Sequence, residues 1–148
     1  MQVLKLTAPL GFTDILFPYL TYPLPQLLFV RSVEAGFMLL FLGCFDLGDH
    51  IAVASSTYPC YRNIMKATGL QSVSIPVNQE YKVTCVELAQ EIARRKAVNE
   101  PMLKGIILSS PSNPTGAMLT ADELRGLCQL CDEHNILYLS DEIYHGIR

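Results

Sequence analysis

The chain has 148 residues, of which half are apolar and 17% charged, with a formal net charge of -3. That length supports one domain with a hydrophobic core, and the composition favours a buried sheet over a disordered chain. The acidic balance leaves no basic footprint for a nucleic-acid backbone; Arg94, Arg95 and Lys96 form the only basic run and read as a solvated helix face.

Cysteine usage and hydropathy narrow the setting. The five cysteines have no disulfide-framework spacing, which points to a reducing, cytoplasmic compartment. Cys128 and Cys131 form a CxxC with no second pair or nearby histidines, so core packing is expected rather than a metal site. The longest apolar run, 35–45, is too short for a bilayer helix. The apolar first thirty residues are broken by Pro9, Pro18, Pro23, Pro25 and Asp14, and a signal peptide there has weak support.

Residues 1–32 show no sustained period and are expected to be irregular, with short extended pieces. From Val33 onward the pattern is regular. Residues 34–45 suit a buried helix stopped by Gly48 and Asp49. Residues 50–54 read as a short strand. Residues 59–68 read as a helix with Pro59 at its first turn and Gly69 past its end. Residues 71–77 read as a strand. Thr84 and Glu87 form a capping box for a helix over 84–97, with Cys85, Leu88, Ala89 and Ile92 on one face. Residues 103–109 have a continuous apolar centre, as in a parallel strand buried on both faces. Thr120 and Glu123 cap a helix over 120–134, striped by Leu124, Leu127, Cys128 and Cys131. Residues 136–140 form the last strand. The alternation predicts an α/β domain with a mostly parallel sheet and flanking helices.

In such sheets ligands bind beyond the carboxyl ends of the strands. Three loops leave those ends: Ser55-Ser56-Thr57-Tyr58-Pro59, Ser110-Pro111-Ser112-Asn113-Pro114-Thr115-Gly116, and Ser140-Asp141-Glu142-Ile143-Tyr144-His145-Gly146. Taken singly, each has a plain reading. Tyr58 is a turn aromatic, Asn113-Pro114-Thr115-Gly116 is turn chemistry, and Asp141 caps the next segment of chain. Yet a carboxylate ending an apolar strand is costly unless paired, so Asp141 also suits a cation on a ligand. His145 is a further candidate to line the site. His134 suits a helix C-terminus, and Arg62 and Arg125 read as helix-surface residues.

Together, SPSNPTG, a helix, an apolar strand and SDEIYHG, preceded by SSTYPCYR, resemble the class I/II aminotransferases of fold type I over about residues 36–148. The resemblance implies part of the large domain of a pyridoxal 5'-phosphate enzyme. In it Asp141 pairs with the cofactor's pyridinium nitrogen, Asn113 and Tyr144 hydrogen-bond its phenolate oxygen, and Tyr58 stacks on its ring. It also implies amino-group transfer between an amino acid and a 2-oxo acid, and a homodimer. No nucleic-acid or membrane partner is expected.

The sequence departs from the family pattern in two places. Its lysines are Lys5, Lys66, Lys82, Lys96 and Lys104, all before the NPTG loop, whereas the family's imine lysine follows the region of Asp141 and Tyr144. The family's downstream basic residue for the phosphate and its substrate-gripping arginine also have no counterpart. Upstream, Arg31-Ser32-Val33-Glu34-Ala35 stands where the family has a Gly/Ser-rich phosphate turn, and Glu34 sets a negative charge there. Two segments are therefore expected: an aberrant 1–32, from a frame shift, an alternative exon or a gene-model error, and a partial cofactor-binding domain over 33–148. The expected product is an aminotransferase-like fragment, inactive alone and with weakened cofactor binding. The alternatives are a non-catalytic truncated product or interface remnant, or a β-lyase relative. Uncovered sheet edges and an uncovered apolar face predict low stability or aggregation.

Overall fold

A computed structural model describes residues 3–6 and 32–144; His145 and most of the first 31 residues lie outside the described residues. The elements are β1 (Val3–Leu6), α1 (Val33–Cys44), β2 (His50–Ala54), α2 (Cys60–Ala67), β3 (Gln71–Ile75), α3 (Cys85–Ala97), β4 (Leu103–Ser109), α4 (Ala121–Glu133) and β5 (Leu137–Asp141). The strands form one sheet in the order β1-β5-β4-β2-β3, and every pair is parallel. The α/β class and the parallel sheet with flanking helices expected from the sequence are both present.

Strand alternation sends neighbouring side chains to opposite faces, and the core divides accordingly. Ile51, Val53, Ile107 and Leu139 face α1 and α2, meeting Phe37, Phe41, Tyr61 and Met65. Ala52, Ile106, Leu108 and Tyr138 face α3 and α4, meeting Leu88, Ile92, Leu127 and Cys131. Cys128 and Cys131 pack in that core as free thiols. Burial above all pushes Cys131 up to about 12, and the same cause raises Cys128, so neither is a ready thiolate.

Both capping boxes form. Thr84 accepts from the Val86 amide while Glu87 accepts from Thr84 N at 2.8 Å. Thr120 accepts from the Glu123 amide at 3.2 Å while Glu123 accepts from Thr120 N at 2.6 Å. Gly69, just past α2, has φ of +76°, the left-handed geometry expected of that stop.

Residues 3–6, a short extended piece of the kind expected within 1–32, are a strand of the sheet, paired along β5 from Val3 opposite Tyr138 to Leu6 opposite Asp141. Four expectations change. β3 ends at Ile75, two residues early, because Pro76 has no N–H for the ladder. On α3, Ala89 is exposed, and Glu91 and Arg95 complete the buried stripe with Leu88 and Ile92. Arg95 is 3% exposed rather than solvated. Its Nε donates to Glu91 at 2.8 Å, and its Nη1 meets His50 Nδ1 at 3.1 Å and the Pro101 carbonyl. These partners repay the desolvation of a guanidinium that the i, i+4 spacing from Glu91 draws inward. Finally, Arg62 is not a free surface residue. Its Nη2 donates to the carbonyls of Ala54 and Ser55 and to Ser74 Oγ, so it braces the start of the loop after β2.

The order of the strands sets the site. The chain runs from β2 outward to β3, then returns to lay β4 on the other side of β2. The loops after β2 and β4 therefore part in opposite directions, and such a reversal opens a crevice at the carboxyl edge.

Candidate functional site

Each wall of that crevice comes from a different strand end. Tyr58 follows β2 and precedes α2. Asn113 sits in the turn after β4. There the Ser112 carbonyl accepts from Gly116 N at 2.7 Å, Ser112 N donates to the Ala117 carbonyl at 2.9 Å, and Gly116 has φ of +71°. Asp141 closes β5 opposite Ser109 of β4, and its carbonyl accepts from Ser110 N at 3.2 Å. Tyr144 lies just beyond.

All four residues singled out by sequence line one cavity of about 150 Å³, together with Val33, Glu34, Tyr61, Ser109 and Ile143. Cavities of about this size accommodate a benzene-sized ring. Asp141 is 4% exposed and lies at the floor, while Tyr58 and Tyr144 are 41% and 38% exposed at the rim. Asn113 Nδ2 donates to Tyr144 Oη at 3.3 Å, linking the second and third loops.

Asp141 has two donors. The Tyr61 hydroxyl donates to Oδ2, and Ile143 N donates to Oδ1 at 3.1 Å. Burial pushes its carboxyl above the ordinary carboxylate range; the Tyr61 and Ile143 bonds pull it back, and the Glu142 charge adds to the upward push. Tyr61 is raised by burial first and then by the Asp141 charge, so it stays a protonated donor through the neutral range. Its ring is wedged edge-on against Phe37 at 5.0 Å between centroids and against Tyr58 at 6.3 Å. The thiol of Cys60 is raised by burial, then by Glu34 and Asp141, which places both carboxylates within electrostatic reach of one point.

Sequence reasoning missed Tyr61. It lies in SSTYPCYR, one helical turn after Tyr58, where its letter reads as one more helix residue. The available signal was its place in the first turn of a helix leaving a strand's carboxyl end. His145 is outside the described residues, and its placement in the site stays an expectation.

The cavity fits the ring of pyridoxal 5'-phosphate. A buried, doubly hydrogen-bonded carboxylate suits a cationic ring nitrogen, a paired amide and phenol suit an anionic oxygen, and a rim tyrosine suits a flat face. The phosphate is served less well. Among the described lining residues there is Glu34 but no lysine or arginine. Ser32 is spent as the N-cap of α1, where its Oγ accepts from Ala35 N at 3.2 Å.

Two other openings suit a ligand less. A cavity of about 20 Å³ beside the site, with Thr57, Lys82 and Ser112 in its wall, has room for about one water. A wide groove along β3 and α3 holds Arg94 and Arg95, both already paired with Glu91 and Glu100.

Comparison with known proteins identifies the family and the fold. The sequence profile of the family described as Aminotransferase class I and II matches residues 25–147. A valine–pyruvate aminotransferase of Mycobacterium tuberculosis is 42% identical over 114 residues, which is 77% of this chain and 28% of that protein. The crystal structure of an aminotransferase from Mycobacterium tuberculosis superposes with a TM-score of 0.68 at 41% identity, covering 76% of this chain and 28% of the other. The PLP-bound C-S lyase from Staphylococcus hominis gives a TM-score of 0.71 at 25% identity, covering 83% of this chain and 31% of the other. The chain thus spans less than a third of the length of these relatives. With its motifs, its parallel sheet and its crevice in agreement, the chain belongs to the class I and II aminotransferase family, whose members are pyridoxal-phosphate enzymes.

Proposed function

We propose that residues 33–148 are the ring-holding part of an aminotransferase large domain, within an enzyme that moves an amino group between an amino acid and a 2-oxo acid. The observation that carries this reading is the convergence of Tyr58, Asn113, Asp141 and Tyr144 on one cavity with a buried carboxylate at its floor. When bound, the cofactor supplies an electron sink for the substrate's α-carbon. Asp141 keeps a proton on the ring nitrogen, because a carboxylate beside a pyridinium favours its charged form. Asn113 and Tyr144 present an N–H and an O–H to the phenolate oxygen. Tyr58 covers a face of the ring and excludes water from it. Glu34 weakens the hold on the phosphate.

These 148 residues do not by themselves complete the reaction. Among the described residues, the cavity lining contains no lysine. Lys82 is the lysine in the adjoining wall, and its Nζ lies 2.8 Å from Glu80 and 3.3 Å from Glu123. Its hydrogen bond to Glu80 above all holds its ammonium above the ordinary range, the wrong direction for a nucleophilic amine. Lys66, Lys96 and Lys104 are exposed elsewhere, and Lys5 lies in β1 opposite Ser140. We assign the working enzyme to the cytoplasm as a homodimer; the free cysteines fit that setting, and among the described residues no helix is long and apolar enough to cross a membrane.

A β-lyase reading draws on the likeness to the C-S lyase, but that likeness comes at 25% identity, against 42% for the valine–pyruvate enzyme. The test uses the purified chain with pyridoxal 5'-phosphate. Reversible binding is expected, with no lysine labelled after borohydride reduction and no exchange between an amino acid and a 2-oxo acid. Stoichiometric labelling of one lysine together with turnover would overturn the incomplete-enzyme reading. Absence of any binding would favour a non-catalytic remnant.

A further inference from the structure

We propose that Tyr61 is the positioning residue for Asp141: its buried hydroxyl fixes the carboxylate and biases it toward the ionised form that faces a cationic ring nitrogen. The inference rests on the cofactor reading for what Asp141 faces; the coupling between the two side chains stands on geometry alone.

Tyr61 is 1% exposed, and two aromatic edges hold its ring. Phe37 comes from α1 and Tyr58 from the loop before α2, so the phenol has one direction in which to point, and Asp141 Oδ2 lies there. The Ser109 side chain, at the end of β4, acts on the same phenol in the opposite sense to Asp141. The other carboxylate oxygen is held by the Ile143 amide. Each oxygen therefore carries one donor and keeps a lone pair for a ligand. Among the described residues, Tyr61 is the one side chain that donates to Asp141.

The surrounding charges make that donor consequential. Glu34 from α1 shares the cavity, Glu142 follows β5, Cys60 of α2 feels both Glu34 and Asp141, and Asn113 and Tyr144 complete the rim. Burial and the Glu142 charge oppose ionisation of Asp141, and two hydrogen bonds resist them. Removing the phenolic O–H strips away one of the two and leaves a buried acceptor with less compensation. A ring that only filled space would have no such effect. Both roles also predict different responses to the strength of the donor, which a substituent on the phenol changes without changing its shape.

Titration of the Asp141 carboxyl by ¹³C NMR in the full 148-residue chain separates the two roles, with the signal assigned by its loss in Asp141→Asn. Tyr61→Phe is expected to raise the midpoint by about one pH unit, a tenfold change in proton affinity. Replacement of Tyr61 by 3-fluorotyrosine, a stronger donor of nearly the same shape, is expected to lower the midpoint below that of the wild type. It also keeps the test decisive should Tyr61→Phe fail to fold. An unmoved midpoint with 3-fluorotyrosine, or with a folded Tyr61→Phe chain, overturns the inference. Binding of pyridoxamine 5'-phosphate to the wild type is followed by its fluorescence in parallel. A midpoint that moves without any such binding would sink the cofactor reading and leave the Tyr61–Asp141 coupling standing.

Discussion

Asp141 is buried at a cost to its charged form. Burial raises its carboxyl above the value it has in an unfolded chain, so the folded state binds the proton more tightly. Its contribution to stability is therefore greatest below the ordinary carboxylate value and is lost as pH rises through the raised one. Asp141→Asn is accordingly expected to raise the melting temperature at neutral pH by a few degrees, with the difference closing as the pH falls below the ordinary carboxylate range. Thermal melts across that range check it. The same substitution is expected to weaken binding of a pyridinium ring about tenfold or more, the usual scale for a hydrogen bond to a charged group. Stability lost in exchange for binding is common at functional sites. At this scale the sequence was legible where a residue belongs to a motif. Tyr58, Asn113, Asp141 and Tyr144 could be read as letters in three loops. Tyr61, Arg62 and Arg95 could not, because their roles depend on partners 80, 8 and 45 residues away that only folding brings close.

The elements between those residues are legible for local reasons. Two Thr-x-x-Glu boxes fix where α3 and α4 begin, and Gly69 fixes where α2 stops. Glu123 does double service: it closes the α4 cap and also meets Lys82 at 3.3 Å, tying the helix start after the Asn113 turn to the turn before α3. Thr120→Ala is expected to cost about 1 kcal/mol in urea denaturation, the common value for a lost cap. Arg95→Ala is expected to cost more, about 3 kcal/mol, since it withdraws one partner of a buried pair and strands His50 Nδ1 and the Pro101 carbonyl. Equal losses in the two variants would contradict the structural weight given to the Arg95 network. β1 was not legible, since four residues amid prolines and aromatics show no period; its strand character comes from pairing with β5.

At the scale of the whole molecule, the crevice comes from strand order, which no local pattern encodes; the three loops could be placed on one edge only by assuming a parallel sheet. The same scale shows an incompletely covered surface. α1 is apolar nearly all round: Phe37 and Phe41 face the sheet, while Met38, Leu39 and Leu42 remain substantially exposed on its outer side. A contiguous apolar face of this kind promotes association. The chain is expected to sediment as concentration-dependent oligomers, and Leu39→Glu with Leu42→Lys to shift it toward monomer. A wild-type monomer at all concentrations, with a sharp cooperative melt, would refute that expectation.

The proposed function requires Asp141 to meet the nitrogen of a pyridine ring held in this cavity. The most direct measurement is the ¹⁵N resonance of ring-labelled pyridoxal 5'-phosphate added to the chain at a pH above that at which the free ring loses its proton. A bound signal at the protonated pyridinium position, absent with Asp141→Asn, is expected. A bound signal at the unprotonated position, or one indifferent to that substitution, would contradict the proposed function.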